Sequence, residues 1–113
     1  MSEERARSLM EQILTEDELS RIHFEITGTG TCVSVDVHRL TVAEAKRLIK
    51  NLIALIRGDF ILEVIHGYLN GTAIKDMIHE ETLSRKVVDK KCPFYNLGIT
   101  YLKIKDEYLF SAA

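Results

Sequence analysis

The chain has 113 residues, with no tryptophan, a single proline, two cysteines and only 7% aromatic residues. Cys32 and Cys92 lie far apart and outside any Cys-x-x-Cys pair, which excludes a zinc knuckle and a disulfide framework; both are expected to be reduced, inert thiols. The scarcity of proline excludes a Pro-rich linker, and no low-complexity tract or internal repeat is visible. Long hydrophobic runs are also missing. The stretch LIALI at 52–56 is far shorter than the ~20 residues of a membrane span, and the acidic start MSEERARS does not have the form of a signal peptide. A soluble, cytoplasmic protein with no membrane partner is therefore expected. Nor is there an excess of positive charge, since the formal net charge is −2. That average conceals an asymmetry: residues 1–20 hold 6 acidic residues against 2 arginines, which leaves 13 basic against 11 acidic residues in 21–113. A mildly basic domain behind an acidic leader is compatible with a phosphate ligand without requiring one.

What is present, 46% hydrophobic and 28% charged residues, is the composition of one compact domain. In residues 3–14, Ala6, Leu9, Met10, Ile13 and Leu14 recur at helical spacing, and Thr15-x-x-Glu18 has the form of a capping box. This leader, 1–20, reads as a docking element for a protein partner or for a second copy of the chain. RIHFEI (21–26) and CVSVDVH (32–38) alternate apolar and polar residues and are joined by TGTGT, which predicts a β-hairpin. The clearest helix begins at Thr41 with Glu44 three residues on, carries Ala45, Leu48, Ile49, Leu52, Ile53 and Ile56 along one side, and stops at Gly58. DFILEVIH (59–66) reads as a buried strand, and a second amphipathic helix follows Gly71. RKVVDKK reads as a weak edge strand or loop, LGITYLKI (97–104) as a last strand, and 105–113 as a tail.

A strand, a helix of several turns and a strand make a right-handed crossover between parallel strands. His38 and His66 then end neighbouring strands at one edge of the sheet, the edge where open α/β sheets bind ligands. Asp36 and His38, two apart, leave the same face, so the carboxylate can fix the imidazole's tautomer. Beyond His66, Gly67 and Gly71 permit a tight turn, and Thr72 opens a helix whose free N–H groups favour an anion. Each feature also has a plain reading: an exposed polar strand face for Asp36 and His38, a strand-end histidine bonded to a carbonyl for His66, and an ordinary strand-to-helix connection for the glycines. Lys75, one turn into that helix, is a candidate phosphate contact. Tyr68 and Tyr101 are candidates for stacking on bases or for filling the core rim. His23 and His79 read as solvent-facing bystanders.

VDVHRLTVAEA, EVIHGYLNGTAIKDMI and LGITYLKI, in that order, resemble the small MutS-related (Smr) domain. That family has a Leu-Asp-Leu-His-Gly segment ahead of a helix and a His-Gly-x-Gly loop between strand and helix. The likeness covers roughly 33–104. It implies an α/β (α+β) two-layer sandwich, similar to the C-terminal domain of bacterial translation initiation factor three, with a mixed four- to five-stranded sheet and two main helices on one face. It also implies nucleic-acid binding (RNA or DNA, including messenger RNA on stalled ribosomes) and, in several members, endonuclease activity. The family's acidic and histidine positions fall on Asp36, His38 and His66, and its glycines on Gly67 and Gly71. Two departures stand out: Arg39 occupies the position after the first histidine, where the family has glycine, and Tyr68-Leu69-Asn70 lengthen the second loop. Arg39 either adds a phosphate contact or crowds an approach that glycine allows.

Three functions are therefore open for the domain at 21–104. The first is a phosphodiester hydrolase in which His38 and His66 act as base and acid, Asp36 orients its histidine, and Arg39, Gly67, Tyr68, Gly71, Thr72 and Lys75 hold the nucleic acid. Its cofactor is either none or a divalent cation, Mg²⁺ or Mn²⁺, held by Asp36, His38 and His66, a poor magnesium cage. The second is a non-catalytic module that recognises nucleic acid or the ribosome, and the third is a protein-interaction or dimerisation domain.

Overall fold

The computed structural model describes residues 3–68 and 71–106. Most of the expected tail, and Leu69-Asn70 of the loop, lie outside the described residues. The elements run α1 (Glu3–Ile13), α2 (Glu16–Ser20), β1 (Ile22–Thr27), β2 (Gly30–Asp36), α3 (Val42–Leu55), β3 (Phe60–Ile65), α4 (Ala73–Glu80), β4 (Val87–Lys91) and β5 (Ile99–Ile104). Together they form an α+β two-layer sandwich on a mixed five-stranded sheet of order β1-β2-β3-β5-β4. β2 and β3 are parallel across the α3 crossover, with Asp36 opposite Ile65; the β1–β2, β3–β5 and β4–β5 pairs are antiparallel.

Alternation along the strands decides which face is covered. Val33, Val35, Leu62, Val64, Leu102 and Ile104 point to the helices and join Leu48, Ile49, Leu52 and Ile53 of α3 with Met77 and Ile78 of α4 in one core. The α3 start is fixed as its sequence suggests: Thr41 Oγ1 accepts from the Glu44 amide, and Glu44 Oε1 accepts from the Thr41 amide. Thr15 and Glu18 make the same reciprocal box for α2.

The leader is woven into this core. Ala6, Met10 and Leu14 are buried in the same cluster, so the apolar face that suggested docking is covered by the chain's own domain. Ile13, assigned inward from its spacing, is 56% exposed. The expected weak edge strand is β4, with an irregularity in its pairing between Val87 and Asp89. No helix among the described residues is long and apolar enough to cross a membrane. Cys32 and Cys92 are free thiols, and burial, then Glu63 and Glu25, push the Cys32 thiol pKa up.

Candidate functional site

Three connections meet at the carboxyl ends of β2 and β3: the β2–α3 loop, the β3–α4 loop and the β4–β5 turn. They enclose a cavity of about 600 Å³. His38, Arg39, His66, Gly67, Tyr68 and Gly71 all line it, so the parallel crossover does bring the two expected histidines to one place. They do not occupy equivalent positions in it.

His38 stands at the mouth, its side chain 46% exposed. Asp36 Oδ1 accepts from the His38 backbone amide (3.1 Å) and from ring Nδ1. That pair of bonds fixes the ring's rotation and places its proton on Nδ1, which leaves Nε2 as the ring's acceptor. Arg21 supports the arrangement from behind. Its Nη1 donates to the carbonyls of Asp36 (3.1 Å) and His38 (3.2 Å), and its Nε donates to Asp17 (3.0 Å). Nothing about Arg21 stood out in the sequence, although it precedes β1 and so lies opposite the end of β2; the hairpin register was the available clue.

His66 is only 6% exposed. Strand parity sends it inward with Leu62 and Val64, on the helix-covered face, whereas Asp36 lies on the other face. Both ring nitrogens are engaged: Nδ1 donates to the Gly67 carbonyl (2.7 Å), and Nε2 accepts from Thr100 Oγ1 (2.8 Å). Thr100 in turn accepts from His79 Nε2 (2.9 Å), so His79, exposed as expected but not a bystander, begins a chain that runs through Thr100 and His66 to the loop. Burial is the main cause holding the pKa of both histidines below the ordinary value, with Lys75 adding to it; the Gly67 carbonyl opposes the shift at His66. Both ring nitrogens of His66 are thus engaged within the protein, whereas Nε2 of His38 is left open, and His66 braces the loop from inside.

The brace holds the glycine loop. Gly67 has φ +73°, and its amide and that of His66 both donate to the Gly98 carbonyl (2.9 Å each). Gly98 approaches so closely that a Cβ there would lie 3.3 Å from the Gly67 Cα and 3.4 Å from the Tyr68 ring. Gly98 is a second site residue that the sequence did not single out, visible only as a glycine beside the last strand.

Arg39 has φ +71°, the one non-glycine residue with positive φ among those described. It therefore keeps a backbone conformation that suits glycine while adding a guanidinium to the cavity wall. Thr72 does not line the cavity. Its hydroxyl donates to Asp76 (3.0 Å) rather than accepting from the first turn of α4, so those amides have no side-chain cap. Lys75 is half-buried and also lies off the cavity wall; its charge bears on His66 and His79. Asp36, His38 and His66 do not converge as a metal triad, and no group of three or more His, Cys, Asp or Glu side chains suited to a metal ion occurs among the described residues.

No protein-family model matches the chain, and no curated protein matches it.

Proposed function

We propose that this domain binds nucleic acid across the cavity and that His38, oriented by Asp36, serves as the general base in phosphodiester cleavage. The observation that carries this reading is the Asp36–His38 pair at the cavity mouth, with Nε2 left as an acceptor in a cavity that Arg39 also lines. In the proposed step, Nε2 takes the proton of the attacking hydroxyl or water while the Asp36 carboxylate stabilises the imidazolium that forms. Arg39 and the uncapped amides that open α4 offset charge on the phosphorus oxygens. The leaving oxygen takes its proton from solvent, because His66 is fully bonded.

That single acid–base group also favours a second reading, a binding module without catalysis. Both are tested by incubating labelled RNA and DNA with wild type, His38→Ala and Asp36→Asn, with and without EDTA. The hydrolase reading expects cleavage unaffected by EDTA and a rate lowered ~10²-fold or more by His38→Ala. Equal cleavage by wild type and His38→Ala would eliminate it. Salt-sensitive binding with no cleavage by any of the proteins would establish the module.

A further inference from the structure

The turn between β4 and β5 carries an exposed aromatic pair. Phe94 is 93% exposed and Tyr95 71% exposed, an arrangement that keeps apolar rings in water. The two rings meet edge to face, 5.8 Å between centroids. They are held in place from below. The Tyr101 hydroxyl, on the face of β5 opposite the helices, lies beside the Tyr95 and Glu63 side chains; Tyr95, burial and Glu63 together hold its pKa well above the usual tyrosine range. Glu63 Oε1 also accepts from Ser34 Oγ (3.0 Å). Pro93 beneath the pair is buried. The rings are therefore presented on a fixed turn.

That turn runs directly into the cavity, because Asn96 and Gly98, two and four residues beyond Phe94, line its wall. Tyr68 lines the cavity beside Gly98. The remaining walls are largely apolar, supplied by Leu40, Val42, Ile65, Ile74 and Ile99. An apolar, aromatic-edged cavity of about 600 Å³ fits one planar base with its sugar better than a bare phosphate. Arg39 on the cavity wall and exposed Lys91 at the root of the turn supply positive charge for a phosphate backbone, whereas the sheet face opposite the helices holds the Glu63 carboxylate.

We infer that the 93–97 turn is a stacking platform that selects unpaired nucleic acid: one base enters the cavity beside Tyr68, and its neighbour stacks on Phe94. This rests on the nucleic-acid reading above. A paired base has both faces occupied by its own stack, so duplex cannot use the platform.

The test measures binding of fluorescent oligouridine, an abasic strand of equal length and a hairpin duplex to the full chain as wild type, Phe94→Ala and Phe94→Tyr. Phe94→Ala should weaken oligouridine binding roughly 10-fold or more while leaving the abasic strand unchanged, and Phe94→Tyr should restore the loss. Because Phe94 is almost fully exposed, the melting temperature should not move. Oligouridine binding that is equal in wild type and Phe94→Ala, or a loss that is the same on the abasic strand, would overturn the platform and leave the nucleic-acid reading standing. A wild type that binds none of the three would remove both.

Discussion

Arg39 concentrates the tension between folding and function at one residue. Left-handed backbone costs a β-carbon-bearing residue roughly 1–2 kcal/mol, and such strain persists where the surroundings hold it and the side chain has a use. Glycine at this position relieves the clash but adds freedom to the unfolded chain, which returns part of the gain. Arg39→Gly should therefore raise unfolding stability by up to about 1 kcal/mol in urea titration. It should also lower nucleic-acid affinity and reduce the slope of log K against log salt by about 1. Unchanged stability would mean that the φ of +71° is carried without strain, and an unchanged salt slope would remove Arg39 from the phosphate path.

At the scale of elements, α1 changes character between sequence and fold. Its apolar spacing is plain, but spacing gives only a stripe and not what covers it. Met10 is fully buried in the cluster that contains α3. Met10→Ala should accordingly cost about 2–5 kcal/mol, the range for truncating a large core side chain. A leader that merely awaited a partner would leave the urea midpoint where it was. Other elements were easier to read. The Thr15 and Thr41 boxes, the β1–β2 hairpin and the α3 crossover follow from contiguous residues, whereas the insertion of β5 between β3 and β4 is set by long-range pairing. Ile13 went wrong because the last residue of a helix sits where its stripe leaves the protein, and Leu14 takes the inward place. The site was legible in part. The Asp36–His38 pairing is local, two residues apart on one strand. The roles of His66, Arg21, Gly98 and His79 depend on strand parity and on partners 15 to 34 positions away, which no short window contains.

Across the whole molecule, two histidines whose pKa values the fold lowers make stability depend on pH. Both have folded pKa values below the ordinary 6.5, chiefly through burial. The unfolded chain therefore binds more protons just below pH 6.5, so this contribution is present in full above that value and is lost as pH falls towards the depressed folded pKa. Around His66 and His79 the charged neighbours are Lys75, Lys90 and Asp76, and the two lysines oppose a further positive charge. Protonating His66 also turns Nε2 into a donor, and the Thr100 hydroxyl hydrogen then loses its buried acceptor. Unfolding free energy measured in urea should be flat above about pH 6.5 and decline between about pH 6.5 and 5. A second, more acidic decline belongs to Glu44 and Asp59, whose carboxyl pKa values are lowered first by backbone hydrogen bonds; that stability is present above their ordinary values and disappears as pH falls below them. A profile flat down to pH ~5 would show that His66 and His79 take up protons alike in the folded and unfolded chain, so that the fold does not lower their pKa values.

The cavity is walled by three connections, while the histidine brace and the strands that fix it lie underneath. Exchanging the exposed residues of those connections, such as Arg39, Tyr68 or Asn96, reshapes the entrance while Val37, Pro93 and Gly98 stay packed beneath. A scaffold partitioned in this way can take on new ligands by small, independent changes to its rim, each tried at little risk to folding.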